Sequence, residues 1–346
     1  METYKIKKNI IFRLNFNKYI GLGHLIRCLR IIKELEKKYK IFLVFDKQTN
    51  NKEIFKLIKK YNLINLYDSN KNFVNQNKDS ELFLKKTSEI KRDIIIIDDY
   101  RFNIIWHKKI KKFTKKLIVI DDFLNKKTYC DYYINYKLIK NNNFFKLMAY
   151  KNTKLLLGKD YLILDKNIKK IINNKNSVNI LINFGNSFDF KKIKTLLNNL
   201  FICKFQKKVT FIIYIGIFAK NYNYIFELKK KYKNIKLQFK KTYIETIFDK
   251  IDLFIGSAGN SIYENSYLKI PSIFFETSSN QENDIHDLMD LGHFFAFKHK
   301  EFKNNKCAEL IKNLINNLDR VSKLNDYRKI QIKRNGTKKI VKELNI

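Results

Sequence analysis

The stretch Tyr19–Arg30, YIGLGHLIRCLR, places two of the chain's nine glycines, Gly21 and Gly23, directly before His24. Glycine lets the backbone turn without a Cβ and approach a ligand closely. His24 falls at the first turn of a helix predicted over 24–39, where free N–H groups and the helix dipole favour an anion. The same field disfavours imidazolium, so His24 is expected to be neutral near pH 7 and able to accept a proton. A water held against it would become a nucleophile. Arg13 and Arg27 flank the loop and are candidates to meet phosphate charge. Spacing alone equally fits a tight turn with a histidine in the first helical turn, and the third Gly and acidic residue of a dinucleotide fold are absent.

A second small-residue loop, Ser257-Ala258-Gly259, also follows an apolar run and opens a helix, which suits close approach by a diphosphate as well as a plain turn and cap. The pairs Asp98–Asp99 and Asp121–Asp122 end apolar runs, where an N-cap is the ordinary role. His107, His286, His293 and His299 are scattered and read as structural, with His286 the one near a loop of interest. No His, Cys or acidic cluster has metal-ligand spacing, so neither a metal nor a cofactor is expected. Cys28, Cys130, Cys203 and Cys307 are isolated, which fits reduced thiols in a cytoplasmic protein.

The elements that must position these residues alternate along the whole chain. Continuous apolar runs such as 9–16, 41–46, 93–99 and 117–122 are each followed by a helical pattern; in the first helix Leu25, Cys28, Leu29, Ile32 and Leu35 recur at three and four. Strands of this kind joined by helices mean a parallel sheet covered on both faces. After the Asn-rich segment 165–178 the pattern restarts with runs at 178–185, 209–216, 234–239, 253–259, 271–276 and 294–299. The expected fold is α/β, two doubly wound Rossmann-like domains facing a cleft, with residues 1–165 as a sugar-binding catalytic domain and 166–346 as a nucleotide-binding domain with a helical tail. In such sheets ligands sit beyond the carboxyl ends of strands.

Composition narrows the function classes. A chain of 346 residues with 45% hydrophobic content can fill two cores. Its formal charge of +38 is spread from end to end with abundant Asn and Ile, a pattern of A/T-rich codon usage rather than of a nucleic-acid face, so no specific nucleic-acid partner is expected. That charge still implies weak attraction to acidic lipid surfaces. The longest uncharged apolar run, 209–219, is about half a membrane span.

The motif Arg13-x-Asn15-x₄-Ile20-Gly21-Leu22-Gly23-His24-Leu25-Ile26-Arg27-Cys28-Leu29 resembles the N-terminal pattern of the UDP-2,4-diacetamido-2,4,6-trideoxy-β-L-altropyranose hydrolases of pseudaminic-acid biosynthesis, which have a glycosyltransferase-B-like fold. The resemblance implies that His24 is the general base and that Asn15, where the family has Asp, belongs to the sugar site with Asp98 and Tyr100. Further matches follow in family order: Asp121, Asp122, Cys130, Asp131 and Asn135, then Gly158 and Tyr161. In the second half it implies a nucleotide site at Gly185 and Ser187, with Asn186 where the family has a second Gly, and at Ser257, Ala258, Gly259 and Glu264, the last on the ribose hydroxyls. It also implies contacts from Asn280 and Gln281. The function so implied is hydrolysis of a UDP-activated diacetamido-trideoxy sugar. A UDP-sugar glycosyltransferase of the same fold, a nonenzymatic sugar-nucleotide binder and a basic polyanion-binding protein are the alternatives.

Overall fold

Runs of β-branched and aromatic residues become the strands because, buried on both faces, they need no polar alternation. A computed structural model describes residues 7–47, 49–71, 73–122, 126–138, 149–165, 167–169, 177–239, 248, 250–277, 288–298, 301 and 305–346. The chain divides into two compact units, Met1–Leu164 with Arg334–Ile346, and Asp165–Lys333.

The first unit runs β1 (Asn9–Leu14), α1 (Gly23–Leu35), β2 (Lys40–Phe45), α2 (Lys52–Ile58), β3 (Asn62–Asn65), α3 (Gln76–Lys86), β4 (Ile94–Asp98), α4 (Ile104–Lys111), β5 (Lys116–Ile120), β6 (Tyr132–Asn135) and β7 (Lys154–Leu157). Its seven strands lie parallel in the order β3-β2-β1-β4-β5-β6-β7. The order reverses between β1 and β4, where Leu14 pairs with Asp98. Helices following two neighbouring strands there diverge to opposite faces and leave a crevice at the carboxyl ends. Ile94, Ile95, Ile96 and Ile97 of β4 are all buried, each stabilising by about 1.5–3 kcal/mol relative to exposure.

The second unit repeats the plan with β8 (Ser177–Asn183), α5 (Lys194–Phe201), β9 (Lys208–Ile215), α6 (Asn223–Lys231), β10 (Ile235–Phe239), β11 (Leu253–Ser257), α7 (Ser261–Leu268), β12 (Ser272–Phe275) and β13 (Phe294–Phe297). Its six parallel strands are ordered β10-β9-β8-β11-β12-β13, with the reversal between β8 and β11. Gly256 pairs with Asn183 there, and a Cβ on Gly256 would lie 1.9 Å from the Asn183 carbonyl oxygen, so only glycine lets these strands meet.

Helices α8 (Asn305–Asn316), α9 (Leu318–Ser322) and α10 (Gly336–Glu343) form the tail. The sequence reading gives all of it to the second domain, and its end corrects that. Gly336 is pressed against residue 162, where a Cβ would stand 2.2 Å from the Leu162 oxygen. Lys339 meets Asp160 at 2.8 Å and Glu343 meets Lys154 at 2.6 Å, so α10 belongs to the first unit. The helix expected at 243–250 and the segment at 281–291 fall largely outside the described residues.

Candidate functional site

The loop after β1 is closed by Gly21, whose φ of +82° needs glycine and whose N–H returns to the Asn17 oxygen at 2.8 Å. Asn17 Oδ1 accepts from the amides of Tyr19 and Ile20 and tightens the same turn. Gly23 begins α1 with nothing within 4 Å of where a Cβ would stand, so its lack of a side chain leaves open space. His24 follows in the first turn, 7% exposed.

Asp98, at the end of β4 beside Leu14, reaches across to the helix. His24 Nδ1 lies 2.5 Å from Asp98 Oδ1. A carboxylate at that distance accepts a hydrogen bond from the Nδ1–H tautomer and leaves Nε2 as the lone-pair nitrogen. Burial would raise the Asp98 carboxyl, but Arg27 and His24 beside it hold it well below the usual carboxylate range. The ring packs edge-on to Tyr100 with centroids 4.4 Å apart.

Arg27 fixes this carboxylate. Its Nε donates to Asp98 Oδ2 at 2.5 Å, its Nη2 to Asp98 Oδ1 and to the Tyr100 hydroxyl, and its Nη1 to Asp122 Oδ2 at 2.5 Å and the Tyr136 hydroxyl at 3.0 Å. A guanidinium has five N–H groups, and all of them are engaged. Burial would lower the Arg27 pKa, yet Asp122 and Asp98 raise it well above its ordinary value. The Tyr100 hydroxyl donates to Asp122 Oδ2 at 2.8 Å, which consumes its proton as well.

A second buried network lies behind Asn15. Arg13, 0% exposed, pairs with Asp46 at 2.9 Å and Asp79 at 3.1 Å, and Asp79 also accepts from the Trp106 indole and the Tyr67 hydroxyl. Asn15 Nδ2 donates to Asp46 Oδ2 at 3.1 Å, and its Oδ1 accepts from the Phe16 amide. Arg101 donates from Nε and Nη2 to Asp99, from Nη1 and Nη2 to Asp46, and from Nη1 to the Lys71 carbonyl, so its five donors are also used. Burial would raise Asp46, and the bonds from Arg101 and Arg13 hold it below its ordinary value instead.

Between the networks lies a pocket of about 170 Å³ lined by Asn15, Ile20, His24, Lys71, Asp98, Asp99, Tyr100 and Arg101. A cavity of roughly 150 Å³ holds one benzene-sized ring, so this pocket, which opens to solvent, has room for a sugar ring.

These contacts correct several expected roles. Arg13 and Arg27 have no access to a phosphate, being sealed into carboxylate networks. Asp98 lines the pocket but is wholly buried, with both oxygens engaged by His24 and Arg27, and Tyr100 offers a ring face but no spare hydroxyl proton. Asn15 and His24 line the pocket, and Gly23, before His24, leaves open space. Neither aspartate doublet caps a helix; α4 is capped by Asn103. The sequence reading missed Asp46, Asp99, Arg101, Lys71 and Tyr136 and gave Asp122 no site role. The doublets Asp98–Asp99 and Asp121–Asp122 at strand ends were the available signal.

In the second unit, Gly185 (φ +90°) follows β8, and Ser257, Ala258 and Gly259 follow from the adjacent β11, so the expected nucleotide residues share one crevice end. Their amides are engaged: Gly185 N–H with Asn183 Oδ1, Ala258 with the Phe275 oxygen, and Gly259 with the Ser257 oxygen. What Gly185 and Gly259 contribute is space, for a Cβ at either would meet nothing within 4 Å. Ser187 Oγ is a buried hydroxyl with no partner among the described residues. Asn186 Oδ1 accepts from the Tyr214 hydroxyl at 2.8 Å. Glu264 is buried one turn into α7. His107 and His293 are buried, and burial lowers their pKa values to about 3 and about 4. Asn280, Gln281, His286 and His299 lie outside the described residues. Among the described residues no group of three or more His, Cys, Asp or Glu is placed to hold a metal ion, and no helix is long and apolar enough to cross a membrane.

No protein-family model matches the chain. An uncharacterized protein of Methanocaldococcus jannaschii, MJ1062, is 25% identical, the match covering 91% of this chain and 67% of that protein. Among solved structures, MurG of Acinetobacter baumannii superposes with a TM-score of 0.66 at 12% identity, over 97% of this chain and 99% of that one. The UDP-GlcNAc 2-epimerase of Neisseria meningitidis, bound to UDP-GlcNAc, gives 0.63 at 13% identity over 97% and 99%. Anabaena Alr3699/HepE, in complex with UDP and glucose, gives 0.60 at 13% identity over 97% and 99%. The fold is that of the glycosyltransferase-B enzymes. Within that glycosyltransferase-B fold, His24 stands at the reversal point of the first sheet and the Gly185 and Gly259 loops at the reversal point of the second.

Proposed function

We propose that this chain hydrolyses a UDP-activated 2,4-diacetamido-2,4,6-trideoxy sugar to the free sugar and UDP. The observation that carries the reading is the His24–Asp98 pair at a pocket with room for a sugar ring. With its Nδ1–H donated in a hydrogen bond to the Asp98 carboxylate, His24 accepts a proton from water at Nε2. That water oxygen bonds to the anomeric carbon as the bond from that carbon to the diphosphate oxygen breaks, and the electron pair leaves with UDP. The imidazolium that forms is stabilised by Asp98, which Arg27 keeps ionised and in register. The leaving diphosphate supplies its own stable anion, so no second acid is required on that side.

The space at Gly185 and Gly259 and the buried hydroxyl of Ser187 support a diphosphate site in the second unit, with Glu264 as the candidate for the ribose. The neighbours that carry UDP or UDP-sugars in their crystals support the same ligand class. A glycosyltransferase would give a conjugate instead of free sugar. The test is release of UDP and free sugar from UDP-2,4-diacetamido-2,4,6-trideoxy-β-L-altropyranose. His24→Gln keeps a polar side chain but no base, and is expected to lower kcat by about 10²–10⁴ with nucleotide affinity retained. Full turnover by that variant would remove His24 from its assigned role.

A further inference from the structure

Cations at the pocket of the first unit are nearly all spoken for. Arg27 and Arg101 each have five donors engaged, and Arg13 is sealed from solvent. The two networks hold three guanidiniums against five carboxylates, those of Asp46, Asp79, Asp98, Asp99 and Asp122. The guanidiniums alone thus leave two carboxylates uncompensated there, and Lys71 and Lys126, whose Nζ donates to the Tyr100 carbonyl, are the cations that offset them.

Lys71 differs from the three arginines. It lines the same pocket as His24, and its Nζ makes no ion pair with any described residue. Its backbone is pinned on both sides: the N–H donates to Asp46 Oδ2 at 3.0 Å, and the carbonyl accepts from Arg101 Nη1 at 2.6 Å. The stem passes the Tyr67 ring, with Nζ 5.6 Å from its centroid. The buried Asp46–Arg101 pair thus fixes where the lysine starts, while its ammonium makes no ion pair with a described residue and rests only against the Tyr67 ring.

We infer that Lys71 is the substrate-contacting cation of this site, and that it binds the phosphate oxygens nearest the anomeric carbon. The inference rests on the proposed UDP-sugar hydrolysis. An anomeric carbon within reach of a water on His24 carries its diphosphate oxygen one bond away, beside the same pocket that Lys71 lines. Negative charge grows on that oxygen as the bond breaks, and a preplaced ammonium stabilises it most at that moment. Lys71 therefore acts on kcat as well as on binding.

The experiment compares the wild-type chain with Lys71→Met and Lys71→Arg, by calorimetric titration with UDP and with uridine and by turnover of the diacetamido-altrose substrate. Loss of one charge-assisted contact is expected to weaken UDP about tenfold in Lys71→Met, with uridine unaffected and Lys71→Arg close to wild type. The same variant is expected to lose about 100-fold in kcat. Its unfolding midpoint stays close to the wild-type value, since among the described residues Nζ makes no ion pair and touches only the Tyr67 ring. Unchanged UDP affinity and turnover in Lys71→Met would overturn the inference while leaving the proposed function standing. A wild-type chain that binds UDP without hydrolysing the sugar would overturn the proposed reaction, and a selective loss of UDP in Lys71→Met would still support the lysine's role. No binding of UDP by the wild type would overturn both.

Discussion

Asp98→Asn isolates what orients the candidate base. The carboxylate accepts on both oxygens: Oδ1 from His24 Nδ1 and Arg27 Nη2, Oδ2 from Arg27 Nε and the Cys28 thiol at 3.4 Å. An amide has only one acceptor atom. With its oxygen toward His24, the amide N–H₂ meets the Arg27 Nε–H, donor against donor. In the flipped orientation the amide donates to His24 Nδ1, which moves the ring proton to Nε2 and abolishes the base. Either way Arg27 keeps one carboxylate, Asp122, in a buried site. Breaking a buried pair in this manner costs about 3–5 kcal/mol, and an oriented histidine left in the wrong tautomer costs about 10⁴ in kcat.

Asp122→Asn is the matched control. Among the described residues Asp122 Oδ1 has no partner, so an amide nitrogen fits there while the oxygen still accepts from Arg27 and Tyr100. It removes one counter-charge from Arg27 without touching His24. The assays are denaturant unfolding, UDP release per folded molecule, and imidazole ¹⁵N shifts for the tautomer. If Asp98→Asn keeps the Nδ1–H tautomer and turns over within tenfold of Asp122→Asn, the orienting role is refuted.

Two further predictions follow from the same geometry. Gly256→Ala, whose new methyl collides with the Asn183 carbonyl, is expected to cost about 1–3 kcal/mol or more of unfolding free energy, whereas Gly259→Ala, which meets nothing within 4 Å, is expected to leave stability alone and weaken UDP. Equal unfolding midpoints for the two would contradict the close approach of β8 and β11. Acid should unfold the protein in two stages. His107 and His293 are neutral in the fold and protonate only near about 3 and about 4, so the unfolded chain binds more protons and stability declines once pH falls below the ordinary value of about 6.5. Asp98 and Asp46, depressed in the fold, contribute stability above about pH 4 that is lost as pH falls further, each adding up to about 1.4 kcal/mol per pH unit. Denaturant midpoints from pH 8 to 2 test this, and a flat profile would count against the buried charge assignments.

The alternation of apolar runs with helical periods determined the two parallel sheets, because a strand covered on both faces must be apolar along its length and that composition is visible in one dimension. The Gly-x-Gly-His corner was equally legible, since a strand-to-helix loop is a local feature. What remained hidden was which charges face each other. Arg27 and Arg30 sit on the amphipathic helix α1 at positions that read as polar, yet both are buried, Arg30 donating to the Ile163 oxygen. Arg13 interrupts an apolar strand and read as a ligand for phosphate, until Asp46 and Asp79 were found on either side of it. Those partners lie 33 and 66 residues away in sequence. Charge pairing is a property of distances in three dimensions: setting β1 beside β2 brings Asp46 to Arg13, and the packing of α3 brings Asp79. The same packing turned Lys71, one lysine among many, into a cation at a pocket already crowded with carboxylates.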